Sequence, residues 1–178
     1  MNPPEEILDA TCGGRSIWLD DQSARDDTLY IDNRQEPAGF VDEALPESQR
    51  PNNPGYSVEP DDVEDYRELP YAYESFNLVV FDPPHIIRSD GMETLTGVMT
   101  KKYGCLNAET WQDDLRRGFE ELFRVLAPGG TLIFKFSDCD TDFSSVIELA
   151  PVSPLFGTTT RRNTNDTRWF VFYKPEES

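Results

Sequence analysis

Apolar and polar positions alternate along this chain in short blocks of differing period. Ile7-Leu8-Asp9-Ala10 is an apolar run that stops at Cys12-Gly13-Gly14, the pattern of a buried strand entering a tight glycine turn. A second run, Thr28-Leu29-Tyr30-Ile31, ends in Asp32, and the acidic segment 61–65 carries a short third strand ending at Asp65 before a turn at Leu69-Pro70. Phe76 to Phe81 is the clearest buried strand, and it ends abruptly at Asp82-Pro83-Pro84-His85. Helical spacing then takes over. Trp111, Leu115, Phe119, Leu122, Phe123 and Leu126 share one helix face, Thr110 with Asp113 approximates a capping box, and Pro128-Gly129-Gly130 terminates the helix. Thr131 to Phe136 is the next strand, a short helix is expected over 143–149, and Val152 to Thr158 with Arg168 to Tyr173 reads as a hairpin around the turn 161–166.

Two stretches break the pattern. Residues 33–60 hold five prolines and many acids, the signature of a mobile loop or small excursion. Residues 86–108 have no clean period and contain Gly91, Gly97 and Gly104, which suggests a loop with some helix on the substrate side. Strands alternating with crossovers predict an α/β fold: a mostly parallel sheet covered on both faces, closed by a C-terminal antiparallel hairpin. In such sheets ligands bind beyond the carboxyl ends of the strands. The chemically unusual residues, Asp9 to Arg15, Asp32, Asp65 and Asp82 to His85, all fall there.

Composition narrows the classes. The 178 residues suit one domain spanning 1–178. Apolar stretches such as Leu78 to Phe81 are far short of the ~20 residues that cross a bilayer, and no secretory signal is readable, so a cytoplasmic location is expected. Cys12, Cys105 and Cys139 lack any metal-binding spacing, and with His85 the single histidine no metal site is expected. The charge is the outlier: 34 acids against 16 Lys plus Arg give −18. Arginine dominates the cations and the acids are spread throughout, a composition like that of proteins from salt-loving cells. In molar salt screening shortens to a few ångströms, so the negative total does not exclude a nucleic-acid partner.

The strand-end residues suggest a ligand. The first loop reads Gly13-Gly14-Arg15, without the third glycine and long helix that a dinucleotide pyrophosphate needs. An acid ending the second strand suits the two hydroxyls of a ribose, which fits Asp32, and Asp65 can accept from an adenine amino group. Acids around one site repel a polyphosphate but tolerate a cation, and S-adenosylmethionine is an adenosine bearing a sulfonium and an ammonium. In the stiff Asp82-Pro83-Pro84-His85 turn, the carboxylate and a backbone carbonyl can together accept both hydrogens of a planar amino group, a gain that is mostly positioning. His85 can stack on the target ring or relay its proton.

These segments, with Leu126-Ala127-Pro128-Gly129-Gly130-Thr131-Leu132, resemble the class I methyltransferases that depend on S-adenosylmethionine, a Rossmann-like fold. More narrowly, the Cys-Gly-x-Arg loop and the Asp-Pro-Pro-His turn are similar to those of small stand-alone methyltransferases of viruses and prophages. The resemblance implies that Asp9, Thr11, Cys12 and Gly13 hold the methionine part, Asp32 the ribose, and Asp65 with Tyr66 the adenine, while Asp82, Pro83, Pro84 and His85 carry catalysis. Two positions depart from the pattern: Arg15 replaces a glycine, and His85 replaces the Tyr, Phe or Trp that usually follows the proline pair. Aspartate as first residue of the turn is typical of adenine-amino methylation, so DNA methylation at adenine is the leading expectation. RNA, a guanine amino group, a protein glutamine amide and a non-catalytic adenosine-binding module remain open alternatives. Arg88, Lys101, Lys102, Arg161 and Arg162 are candidate phosphate contacts. No separate recognition domain fits this length, so sequence choice is expected to be short or delegated to a partner, and a base in duplex DNA must be flipped out.

Overall fold

The computed structural model describes residues 6–50, 55–93, 95–160 and 166–176. In chain order its elements are β1 (Ile7–Asp9), β2 (Thr28–Asp32), α1 (Phe40–Glu43), β3 (Asp62–Val63), β4 (Phe76–Phe81), β5 (Ile87–Arg88), α2 (Val98–Tyr103), β6 (Leu106–Asn107), α3 (Trp111–Val125), β7 (Leu126–Ser137), α4 (Phe143–Ile147), β8 (Phe156–Gly157) and β9 (Thr167–Tyr173). Seven strands form one sheet in the order β3-β2-β1-β4-β7-β9-β8, and β5 pairs with β6 apart from it. The first five strands in that order run parallel, while β9 is antiparallel to both β7 and β8. This is the expected mostly parallel sheet with an antiparallel C-terminal pair. The strand order reverses between β1 and β4, which opens a crevice at their carboxyl ends.

One face of the sheet holds the core. Leu132, Phe134 and Phe136 of β7 and Phe170 and Phe172 of β9 are buried against Leu115, Phe119 and Leu122 of α3 and Val146 of α4. Phe119 lies 5.0 Å from Phe134 and 5.5 Å from Phe81, both edge-on, which aromatic rings prefer to a face-to-face sandwich. Gly118, in the middle of α3, lets the Tyr66 ring approach so closely that a Cβ there would overlap it.

The other face corrects the expectation of a sheet covered on both sides. Over β1 and β2 it is covered: Trp18 packs edge-on against Tyr30, and the Arg15 guanidinium lies 3.8 Å from the same ring. Over β7 and β9 no described element covers it. Ile133, Lys135 and Val171 are only half-buried and Trp169 and Tyr173 are exposed. The first crossover, which lies over β1 and β2, forms only a short 3-10 turn, Asp20–Ala24.

Smaller expectations also shift. Strand β7 starts at Leu126, and Pro128-Gly129-Gly130 forms a bulge inside it, with Gly129 at φ +77°. Leu126 is fully buried opposite Phe76, so chain pairing resumes before the bulge and not after it. Thr110 caps no backbone group of α3. Its hydroxyl donates to Asp114 at 2.6 Å, and Asp113 pairs with Arg116 at 3.7 Å. The 33–60 excursion is built structure wherever it is described: Glu36 bridges to Val58, and Val41 and Val58 are fully buried. The expected helix over 143–149 ends at Ile147.

Candidate active site

A cavity of about 620 Å³ opens at the carboxyl ends of β1, β2 and β4, within the size range of small-molecule sites. Its floor is the loop after β1. Gly13 adopts φ +49°, a conformation open to glycine at little cost, and donates its N–H to Asp32 Oδ2 at 3.0 Å. Thr11, Cys12, Gly13 and Gly14 line the cavity. Arg15 also takes a positive φ, 53°, which costs a side-chain-bearing residue roughly 1–2 kcal/mol. It is held there by turning away from the cavity: its guanidinium covers Tyr30 and donates to the carbonyls of Ser23 and Glu59 and to Asp61. The arginine in place of a glycine therefore braces the loop from behind.

Asp9 differs from its expected place. It is fully buried and absent from the cavity wall, with Trp18 Nε1 donating to Oδ2 at 2.7 Å and Thr11 N–H to Oδ1 at 3.2 Å. It anchors the loop. Burial pushes its carboxyl up to about 7, with the Asp82 and Asp32 charges pushing the same way and the Trp18 and Thr11 bonds opposing.

Asp32 stands on the wall. Its Oδ1 accepts from Arg34 N at 3.0 Å and lies 3.4 Å from Arg34 Nε. Arg34 in turn donates to the carbonyls of Lys101 and Lys102, and the Tyr56 hydroxyl donates to Lys102 O at 2.9 Å. The end of α2 is thereby held over the cavity, with the Lys102 side chain on its wall and that of Lys101 off it. Arg34 and Tyr56 lie in a segment that reads as a polar loop, so sequence reasoning passes over both.

Asp65 lies off the main wall. Arg67 engages both its oxygens, at 2.9 Å through Nε and 2.6 Å through Nη2, and the pair faces an adjoining depression. Tyr66 and Arg67 are on the main wall, joined by Asp114, whose carboxylate receives Arg67 Nη1 and the Thr110 hydroxyl, each at 2.6 Å. Asp114 is the acid that the structure offers at this end of the cavity.

The Asp82-Pro83-Pro84-His85 turn forms the opposite wall. The Asp82 N–H donates to Thr11 Oγ1 at 2.8 Å, which locks this turn to the first loop. Lys135, near the carboxyl end of β7, donates to Asp82 Oδ2 at 2.7 Å. The other oxygen, Oδ1, is shut off from bulk water and accepts no hydrogen bond. His85 Nε2 approaches it to 3.3 Å without the alignment of a hydrogen bond, and His85 Nδ1 is likewise buried without a partner. The imidazole stands edge-on to Phe136 at 5.0 Å, and Cys139 Sγ donates to the His85 carbonyl. Facing the turn, Met92, Met99, Tyr103 and Cys105 give the cavity an apolar side.

Of the candidate phosphate contacts, Arg88 is off the wall, exposed and paired with Asp140 at 3.0 Å. Arg161 and Arg162 lie outside the described residues. Among the described residues no group of three His, Cys, Asp or Glu side chains could hold a metal ion, and no helix is long and apolar enough to cross a membrane.

No family model and no curated protein matches this sequence. Solved structures do match in shape. A protein from Pyrococcus horikoshii aligns over 99% of this chain and 84% of its own at 17% identity, with a TM-score of 0.55. A SAM-dependent methyltransferase from Methanosarcina mazei aligns over 99% and 96% at 15% identity and 0.53. A 1,6-didemethyltoxoflavin-N1-methyltransferase from Burkholderia thailandensis, solved with bound 1,6-didemethyltoxoflavin and S-adenosylhomocysteine, aligns over 97% and 72% at 16% identity and 0.53. At these identities the likeness speaks to architecture alone: this chain has the Rossmann-like α/β fold, with its antiparallel C-terminal strands, that SAM-dependent methyltransferases adopt.

Proposed function

We propose that the chain is an S-adenosylmethionine-dependent methyltransferase acting on the exocyclic amino group of a nucleobase in nucleic acid, with DNA adenine the leading target. The observation that carries this reading is the split state of the Asp82 carboxylate. One oxygen is clamped by Lys135, and the other is buried and accepts no hydrogen bond, in a residue that lines the cavity beside two prolines. A buried acceptor left unpaired costs about 1–3 kcal/mol, and an incoming N–H removes that cost.

The wall fits the cofactor. Asp32 accepts the ribose hydroxyls, Tyr66, Arg67 and Asp114 border the adenine end, and the Gly13-Gly14 floor admits the methionine part. S-adenosylmethionine supplies, when bound, a methyl group on a cationic sulfur, which the surrounding carboxylates favour. Asp82 Oδ1 and a carbonyl of the turn accept the two amine hydrogens, so that the nitrogen lone pair turns out of conjugation with its ring. Lys135 keeps Oδ2 occupied, which leaves Oδ1 as the carboxylate oxygen without a hydrogen bond. His85, 3.3 Å from that oxygen, can receive the proton that the nitrogen sheds after methylation. Residues 1–178 work as one catalytic domain like that of the small viral and prophage enzymes, with target choice short or left to a partner.

Incubation in high salt with tritiated cofactor and DNA, RNA or protein is expected to label DNA above the other two. Label in none of them, with the cofactor bound, defeats the reading. Two variants resolve the site. Asp32→Ala removes a charged acceptor and is expected to weaken S-adenosylhomocysteine binding about ten- to a hundred-fold by calorimetry. Lys135→Met is expected to lower kcat about ten-fold or more with the cofactor Kd unchanged, and Lys135→Arg to recover part of the loss, because only the aim of Asp82 is altered.

A further inference from the structure

The open face of the sheet continues the reaction site. Side chains of a strand alternate between faces, so Thr131, Ile133 and Lys135 of β7 share the uncovered face with their partners Tyr173, Val171 and Trp169 of β9. Phe156 of β8 pairs with Val171 on the same side. Three aromatic residues are therefore displayed on one surface, with Trp169 38%, Tyr173 42% and Phe156 62% exposed. The row nearest the cavity runs Asp82, Lys135, Trp169. Lys135 Nζ touches Asp82 on one side at 2.7 Å and lies 5.9 Å from the Trp169 ring centre on the other. Thr167, two residues before Trp169 on the same face, is on the cavity wall. The backbone beneath the indole is fixed at both ends: Trp169 N–H donates to Thr158 Oγ1 at 3.2 Å, and Thr158 N–H to Trp169 O at 2.8 Å.

We infer that this face, centred on Trp169, is a stacking platform for the single-stranded nucleic acid that flanks the target base. The inference rests on the nucleic-acid reading above. Three physical points favour this occupant. A fixed, exposed indole stacks on the π-face of any base, which gives sequence-tolerant binding. The platform lies two strand spacings, about 10 Å, from Asp82, a separation that a few nucleotides cover at the ~3.4 Å rise per nucleotide of stacked DNA. The chain carries a net charge of −18, so a clamp on phosphates is unfavourable in low salt and screened in high salt, whereas stacking does not depend on charge.

The test is a binding titration in 1 M salt, read by tryptophan fluorescence and by anisotropy of a labelled oligonucleotide. Three ligands are compared: an oligodeoxyadenylate, the same oligonucleotide with abasic sites, and a blunt duplex. The single strand is expected to bind, quench fluorescence and compete at least ten-fold better than either of the others. Trp169→Leu is expected to weaken it about ten-fold, and Trp169→Phe, which keeps a π-face, to recover most of that loss. Abasic strand binding as tightly as the base-bearing one, Trp169→Leu binding like the parent, or no binding to any ligand overturns the platform. So does a dimer in light scattering that Trp169→Leu dissolves, which would assign the face to a second copy. Methyl transfer to the oligonucleotide, measured alongside, separates the two levels: transfer with unchanged affinity in Trp169→Leu overturns the platform and leaves the enzyme reading standing, while no transfer by the parent protein defeats the enzyme reading.

Discussion

Asp82→Asn is expected to lower turnover about a thousand-fold while S-adenosylhomocysteine affinity stays within about two-fold. The size follows from donor arithmetic at a site of fixed geometry. Lys135 is a pure donor set 2.7 Å from Oδ2. An amide at this position presents one acceptor and one donor, and the ammonium takes the acceptor. The amide NH2 is then left where Oδ1 stood, so the target amine meets a donor in place of an acceptor. The lone pair is no longer turned toward the methyl donor, and the pairing is repulsive as well as absent. Asp32, Tyr66 and Asp114 are untouched, so cofactor binding survives. Asp82→Ala separates the enzyme from a pure adenosine binder by the same logic, since a binder has no turnover to lose. A single-turnover assay with matched calorimetry reads both quantities, and an Asn variant with near-parental kcat removes Asp82 from the chemistry.

The second large effect concerns stability. Asp9 has its carboxyl raised to about 7 from an ordinary value of 3.8, burial being the main cause. Between those two values the folded state holds a proton that the unfolded state has released. Stability therefore falls as pH rises across that window, and below it the group contributes nothing further. At pH 8 the burial of the ionised carboxylate costs at most about 4 kcal/mol. Asp9→Asn removes that cost and surrenders about 1 kcal/mol, because its NH2 cannot accept from one of the two donors, Trp18 Nε1 or Thr11 N–H. Urea unfolding in high salt is expected to show the parent losing stability from pH 5 to pH 8, and the variant to be the more stable of the two at pH 8 with a flatter profile. Parallel profiles for the two proteins contradict the assignment.

How much of this was readable beforehand depends on what each residue reports. The strand ends were legible because apolar runs stop abruptly at Asp32 and Asp82, and both stand on the cavity wall. Asp9 and Asp65 also end or follow strands, yet one is capped by an indole from nine residues on and the other is consumed by Arg67. A local sign does not separate them: all of Asp9, Asp32 and Asp65 accept the N–H two residues ahead, and only tertiary packing decides which still faces the cavity. Lys135 did leave a trace. A lysine between Phe134 and Phe136 in a chain with four lysines requires a partner if it is to be even partly buried, and its partner is the carboxylate opposite it on the neighbouring strand. The open sheet face left only a partial trace: Thr131 and Lys135 are polar on the face of β7 that Ile133 shares, whereas Leu132, Phe134 and Phe136 on the other face are all apolar. Strand β4, with Val79, Val80 and Phe81 all buried, is the contrast.

The account turns on Asp32 and Asp82 serving one ligand from opposite walls of one cavity. A crystal structure with S-adenosylhomocysteine bound tests this most directly. The expected result places the ribose hydroxyls on the Asp32 carboxylate and aims the sulfur at the Asp82-Pro83-Pro84-His85 turn. A ligand seated in the depression beside Asp65, or one whose sulfur faces away from Asp82, contradicts it.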